Sequence, residues 1–564
     1  MWLLLLGCPP EPEDSVSEST LQESVESVPD TELPPIDTED IGDSPALWTL
    51  SHDSSLLYEG ITFEASTPYE GLDLVYSMDG RTPSHQWTGA LAVDTTTVLR
   101  LELRRGEDVV DTATRSFIFP AHIADQQAPS DYPTQWWVED DQGPFPADYG
   151  MDPKVMENFA VWFPEAWELI PSLSIVIPPE DLFSTETGIH ENALGSGPDW
   201  ERAVNATLLN AGNANFNIDC GMRAQGRSSR FPERSNKKSF RLLFKKDYGP
   251  GKLRTQVFPG NEVEEYDGFV LRARYNRSWA HFTHVQRERA MYMRERYAME
   301  RMDAMGHLSS ATRHAHLFLN GLYWGLYLLE ERPDAHFMAN RTGSLSSDWD
   351  IINSGNPQDG DLQAWDELLE MGRAGLEDDA DWNAFAAEID VENFVDYTLL
   401  QLYLGNIDWP EANWYTTRRH DRSNVWQFFM WDAELTMVNT TDNLLGTATD
   451  SGTPGELFQH ARVNASFRAL FNERAHLHLD EGGALHWENM LAAWEALGAE
   501  VKPVVAAESA RWGDHWRDDR ADPEAALYTL GHWKTENDRI TGYYLEKRHP
   551  RFIDTLRQAD LWLD

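Results

Sequence analysis

The chain has 564 residues and a net charge of -48, with 23 tryptophans and two cysteines, Cys8 and Cys220. That length exceeds one hydrophobic core and calls for roughly two to four folded units. The charge argues against nucleic acid and anionic membrane surfaces as partners, since both would repel the protein. No apolar run approaches the roughly 18 residues that cross a bilayer.

The first residues, MWLLLLGCPPEPEDS, end a short apolar run in Leu-Leu-Gly-Cys. This is similar to a bacterial lipoprotein signal and implies lipidation at Cys8, although no basic residue precedes the run. Residues 9–45 hold Pro, Ser, Thr and twelve acidic residues, and no Lys or Arg precedes Arg81. A disordered, self-repelling spacer is expected there. Together these features imply a bacterial cell-envelope protein, lipid-anchored or secreted, expected to touch the membrane only through an N-terminal lipid anchor.

Residues 46–120 read as short strands, with ITFEAS, LDLVYSM, TTVLRLELR and TATRSFIF as β-formers and MDGRTPS as a turn. This stretch resembles the small β-sandwich appended to chitobiases and other secreted hydrolases, an accessory module. Residues 121–169 read as a linker. From about Ile170 the pattern is mixed α and β, and from about Thr440 it is helical, most clearly in WENMLAAWEALGAEVKPVVAA and ENDRITGYYLEKRHPRFIDTLRQADLWL.

Three pieces of the mixed region carry chemistry. NFNIDCGMRAQGRSSRFPERSNKKSFRLLF reads strand, loop, strand. Between Gly221 and Lys238 it holds six basic residues and one acid, Glu233. In so acidic a chain this reversal suits a polyphosphate, with Gly221, Arg223, Gly226 and Arg227 in the loop. Period two puts Lys238 on the face of Phe240, Leu242 and Phe244, and an inward lysine needs an acid. In the following helix, Glu295 interrupts the stripe Met291, Ala298, Met302, Met305 and offers that acid. The alternative is that Lys238 reaches solvent and Glu295 pairs with a nearby arginine.

The second piece is HLFLNGLYWGLYLLEERPD, where Asn320-Gly321 between apolar runs predicts a hairpin. Glu331 and Asp334 would come after it, either beside a nucleotide base or ribose or as surface charges.

The third is GNIDWPEANWYTTRRHDRSNVWQFFMWDAE. NWYTTRR and VWQFFMWD are β-like and joined by turn-rich HDRSN, so a hairpin returns Asp432 to Asn413. Strand geometry would put Asp432 and Glu434 on one side. These carboxylates and the Asn413 amide are hard oxygen ligands suited to Mg²⁺ or Mn²⁺. Asp408 and Asn413 share the Asp-x-x-x-x-Asn spacing with which protein kinases orient a hydroxyl and hold metal. His476, His478 and His486 lack metal-site spacing for a helix, because histidines two apart diverge.

The order of TGIHENALGSGPDWERAV, GMRAQGRSSRFPERSNKKSFRLLF, LRARYNRSW, LNGLYWGLYLLEERPD, GNIDWPEANWY and FFMWDAE resembles the CotH family, spore-coat-protein-H-like atypical protein kinases. The likeness runs from about Ser172 to the C-terminus. It implies an α+β, two-lobed kinase-like domain over 170–564, with lobes at about 170–335 and 336–564, after the β-sandwich. It implies ATP, a divalent metal and phosphorylation of Ser or Thr on secreted or surface proteins. Asp408 would be the catalytic Asp, Lys238 the phosphate-binding lysine with Glu295 its partner, and Asp432 and Asn413 metal ligands. Glu434 stands where a second Asp is expected, and Glu331 would lie near the nucleotide. The competing expectation is a surface-tethered binding protein on an inactive kinase-like scaffold.

Overall fold

The computed structural model describes residues 47–136, 144–446, 448–516 and 526–563. Cys8 and the acidic spacer lie outside these residues. Residues 47–119 form a three-stranded and a five-stranded sheet. Strict alternation in Ile61–Ser66 buries Phe63 and Ala65 and turns Glu64 outward. Phe63 and Val93 from one sheet share a core with Leu99, Leu101 and Phe117 from the other. Ile118 joins this unit to the rest of the chain by packing with Phe318 and Tyr323. Ser174 Oγ also donates to Ser116 Oγ at 2.8 Å. In the 121–169 stretch, Tyr132, Trp136, Phe145 and Tyr149 are buried in the next core.

That core fills a closed barrel. Its strands are β1 (Ser172–Val176), β2 (Arg202–Leu209), β3 (Phe216–Gln225), β4 (Ser239–Leu243) and β5 (Gly268–Arg272). After helix α1 (Arg294–Ala304) come β6 (Thr312–Leu319) and β7 (Leu322–Glu330). The strand order is β1-β2-β3-β4-β5-β7-β6, closed by parallel pairing of β6 with β1. The β6–β7 hairpin turns at Asn320 and Gly321, both at positive φ, as the Asn-Gly pair requires. Met222, Phe240, Leu242, Leu271 and Leu329 point inward. Period two therefore puts Arg223, Arg241, Arg272 and Glu330 on the outer face. There Arg223 stands across from Arg241, and Arg241 from Val270, which pairs with Glu330.

This charged face looks onto the helical part. A four-stranded sheet contains β8 (Trp349–Asn353), β9 (Asn356–Asp359), β10 (Trp414–Arg419) and β11 (Gln427–Met430), in the order β9-β8-β10-β11. Helix α2 (Val391–Leu404) precedes β10 and is buried along nearly all its length. The expected hairpin is β10–β11, with Trp414 opposite Met430. Helices α3 (Trp487–Trp512), α4 (Leu530–Arg539) and α5 (Leu545–Gln558) close the chain. In α3, Glu508 accepts from Lys237 Nζ at 2.6 Å and from Leu326 N at 2.7 Å, tying the helix to the barrel.

Candidate active site

The loop after α2 carries the first acid. Gly405 ends α2 in the left-handed region, which glycine adopts without strain. Trp409 Nε1 then donates to Tyr397 Oη at 2.9 Å and anchors the loop to α2. Asp408 beside it is half-buried. Asn413 Nδ2 reaches Asp408 Oδ2 at 3.4 Å and the Asp432 carbonyl at 3.3 Å. The hairpin thus returns Asp432 to Asn413 as expected.

Asp432 and Glu434 do not lie on a strand. β11 ends at Met430, Asp432 takes φ 54°, and residues 433–435 form a 3₁₀ turn. The turn still brings the two carboxylates together. Oxygens of Glu295, Asp432 and Glu434 all lie within 4.8 Å of one another. Glu295 Oε1 accepts from the Asp432 backbone N at 3.0 Å, and Glu434 Oε2 from Asn276 N at 2.8 Å.

The expected Lys238–Glu295 pair does not form. β4 begins at Ser239, so Lys238 belongs to the loop, and strand periodicity does not extend to it. Its buried Nζ donates to the carbonyls of Arg230 (2.9 Å), Phe231 (3.2 Å), Ser235 (2.6 Å) and Ser229 (3.4 Å). Burial lowers its pKa to about 7. Lys238 pins the 226–238 loop and has no donor to spare for a phosphate.

Glu295 meets arginines instead. Arg274 Nη1 bonds its Oε2, and Arg272 Nη2 lies 3.1 Å from its Oε1. Arg272 also bonds Glu330 through Nε, stands 3.5 Å from Asp432 Oδ1, and lies over the Trp431 ring at 4.3 Å. Arg274 reaches Glu434 at 3.8 Å. Sequence reasoning singles out LRARYNRSW as a motif but gives these arginines no role. Their signal is two alternating cations leaving a strand just before the helix that bears Glu295.

The other loop candidates divide. Gly226, at φ 113°, opens the loop, where a Cβ would strike Ser229 Oγ. Gly221 instead lies within β3, opposite Leu243, where a Cβ would strike the Tyr248 ring. It serves packing. Arg223 is on the outer barrel face, with Nη1 4.0 Å from Glu201, and Arg227 is exposed. Glu331 is buried and accepts from Arg341 Nη2 at 2.6 Å and Asn261 Nδ2 at 3.1 Å, so its oxygens brace the chain. Asp334 caps the helix Ala335–Thr342 and lies 3.6 Å from Arg241.

The site is electrostatically loaded. Among the described residues, the ion-pair partners of Glu295, Glu330, Asp432 and Glu434 are Arg272 and Arg274. Burial, then repulsion from Asp432, lifts Glu434 to about 8. Burial, then Asp432 and Glu411, lifts Asp408 to about 6. Arg274, Arg277, Asn413 and Asp432 all hold positive φ without being glycine. Strained backbone of this kind persists where the surroundings over-determine it and gathers at functional sites. Surplus carboxylate oxygen at this spacing, with the Asn413 amide beside it, fits a hard divalent cation.

The family model described as CotH kinase protein matches residues 222–549. No curated protein matches the chain. Among solved structures, the crystal structure of a Helicobacter pylori proinflammatory kinase, CtkA, is similar over 59% of this chain and 97% of that one. The identity is 10% and the TM-score 0.23. Asp408, Asn413, Asp432 and Glu295 all lie inside the matched span, which covers more than half of the chain, and the chain belongs to the CotH kinase family.

Proposed function

We propose that the protein is an ATP- and divalent-metal-dependent kinase that phosphorylates Ser or Thr of cell-envelope or secreted proteins. The observation that carries this reading is the convergence of Asp408, Asn413, Asp432, Glu434 and Glu295 from separate segments, at a net negative charge that costs stability without a cation. The barrel would form one lobe and the helical part the other, with ATP between them. The outer row Arg223, Arg241 and Arg272 would face its phosphates.

In this mechanism Asp408 accepts the proton of the acceptor hydroxyl as its oxygen bonds the γ-phosphorus. The bond from that phosphorus to the β–γ bridging oxygen breaks, and ADP leaves with the electron pair. Arg272 and Arg274, both held by Glu295, take the part that one strand lysine plays in other kinases. Asp432 and Glu434, with Asn413, would hold the metal, which when bound neutralises phosphate charge. Most of the acceleration is positioning and charge stabilisation.

The test is thermal melting and intact mass of residues 46–564 with ATP and Mg²⁺ or Mn²⁺, beside Asp432→Ala. The expected result is an ATP shift that needs metal and vanishes in the variant, with a phosphate-sized mass gain on the acceptor protein. An AMP-sized gain would reassign the transferred group. No ATP effect with either metal would leave the tethered binding protein as the better reading.

A further inference from the structure

Behind the carboxylates lies a small cavity of about 10 Å³, lined by Arg274, Arg277, Arg294, Glu295 and Glu434 among others. It has room for about one water-sized group. Its three arginines are nearly inaccessible, with 4%, 7% and 3% of their surface exposed. Nε of each, and Nη2 of Arg274, are buried without a hydrogen-bond partner among the described residues.

The acceptors are in the opposite condition. Glu295 is taken by Arg274 and the Asp432 N–H, and Glu434 by the Asn276 N–H. No buried side-chain oxygen of these two residues is left unpartnered among the described residues. Arg294 also bonds Glu536 outside the lining, but Arg539 shares that acid. The cavity meets the start of α1, whose N-cap Met293 makes no side-chain cap. First-turn N–H groups have no intrahelical acceptor and form the positive end of the helix.

Each buried side-chain atom left unpartnered in this lining, among the described residues, is therefore an arginine N–H donor. A water would add two more donors to it. A halide brings only lone pairs, so it accepts from these donors without adding another. Burial, then Arg294 and Arg289, pushes the Arg277 guanidinium below its ordinary pKa, as a cation facing like charges should be.

We propose that this cavity is a chloride site, formed by Arg274, Arg277 and Arg294 at the N-terminus of α1. The ion would tie the segment leaving β5 to the helix that carries Glu295. This inference does not depend on kinase activity, and its test contains no nucleotide or metal.

The full chain would be melted in sodium chloride, sodium bromide and sodium gluconate at matched ionic strength. Chloride and bromide should raise the melting temperature saturably above gluconate, and Arg277→Gln should lose that component. Wild-type crystals grown in sodium bromide should show anomalous scattering between the three guanidinium groups. A bromine peak there establishes the site even if Arg277→Gln does not fold. Identical melting in all three salts with no peak means that water fills the space, and the proposal falls. A halide effect with no peak in this cavity puts the ion elsewhere and equally overturns it.

Discussion

Asp408 is held where ionisation is expensive, and its raised pKa of about 6 has a signed consequence. Below about pH 4 the carboxyl is protonated both folded and unfolded and contributes nothing. As pH rises from there to about 6, the unfolded chain releases the proton first, so this group lowers stability across that window and no further above it. Asp408→Asn should therefore melt higher than wild type at pH 7.5, with the difference closing by pH 4. The same variant should lose about 10²–10⁴-fold in transfer rate, the usual worth of a positioned general base. Melting curves at both pH values beside a transfer assay check this, and a variant less stable at pH 7.5 would contradict the pKa argument. Asp408, Asn413 and Asp432 were legible from their spacing together with the hairpin pattern that follows, because a loop and that hairpin bring them together within one continuous stretch. Arg272 and Arg274 were not, because nothing local says which cation a helix acid meets across a barrel edge.

At the scale of elements, β5 and α1 are joined through buried charge. Arg272 serves Glu295, Glu330 and Asp432 at once, so Arg272→Met strands several acids and should destabilise by about 3–5 kcal/mol. Adding Glu330→Gln should recover part of that loss, which a double-mutant cycle in urea would measure. Strictly additive losses would show that the two side chains do not share a network. The loop between β3 and β4 has a different internal brace. Lys238→Met leaves its carbonyls without their shared donor and should cost about 2–4 kcal/mol. It should also speed limited proteolysis within 226–238. If Lys238 touched phosphate directly, the loss would fall on nucleotide affinity with stability unchanged. Periodicity failed here for a physical reason: it applies only inside a strand, and β4 starts one residue later.

At the scale of the whole molecule, the N-terminal β unit is packed against the barrel through Ile118 and the Ser116–Ser174 bond. Deleting residues 47–119 should expose Phe318 and Tyr323 and lower the melting temperature of the remainder, at about 2 kcal/mol for each large apolar side chain uncovered. An unchanged melting temperature would mean that the unit is an independent bead. The surplus of carboxylates gives a second expectation, that Mg²⁺ or Mn²⁺ alone stabilises wild type more than Glu434→Gln. Isothermal titration of both proteins checks it, and equal affinities would remove Glu434 from the ligand set.

By itself the sequence determined the hairpins at Asn320-Gly321 and 414–430, the helices after 440, the basic reversal around 223–238 and the acids that converge. Each arises from turn chemistry, period or charge within a few residues. Only the tertiary structure decided that arginines rather than a lysine meet Glu295, that Glu331 braces the chain, and that Arg274, Arg277 and Arg294 line one cavity. Those outcomes depend on how elements far apart in sequence approach, where burial makes each unpaired charge costly and so selects the partner.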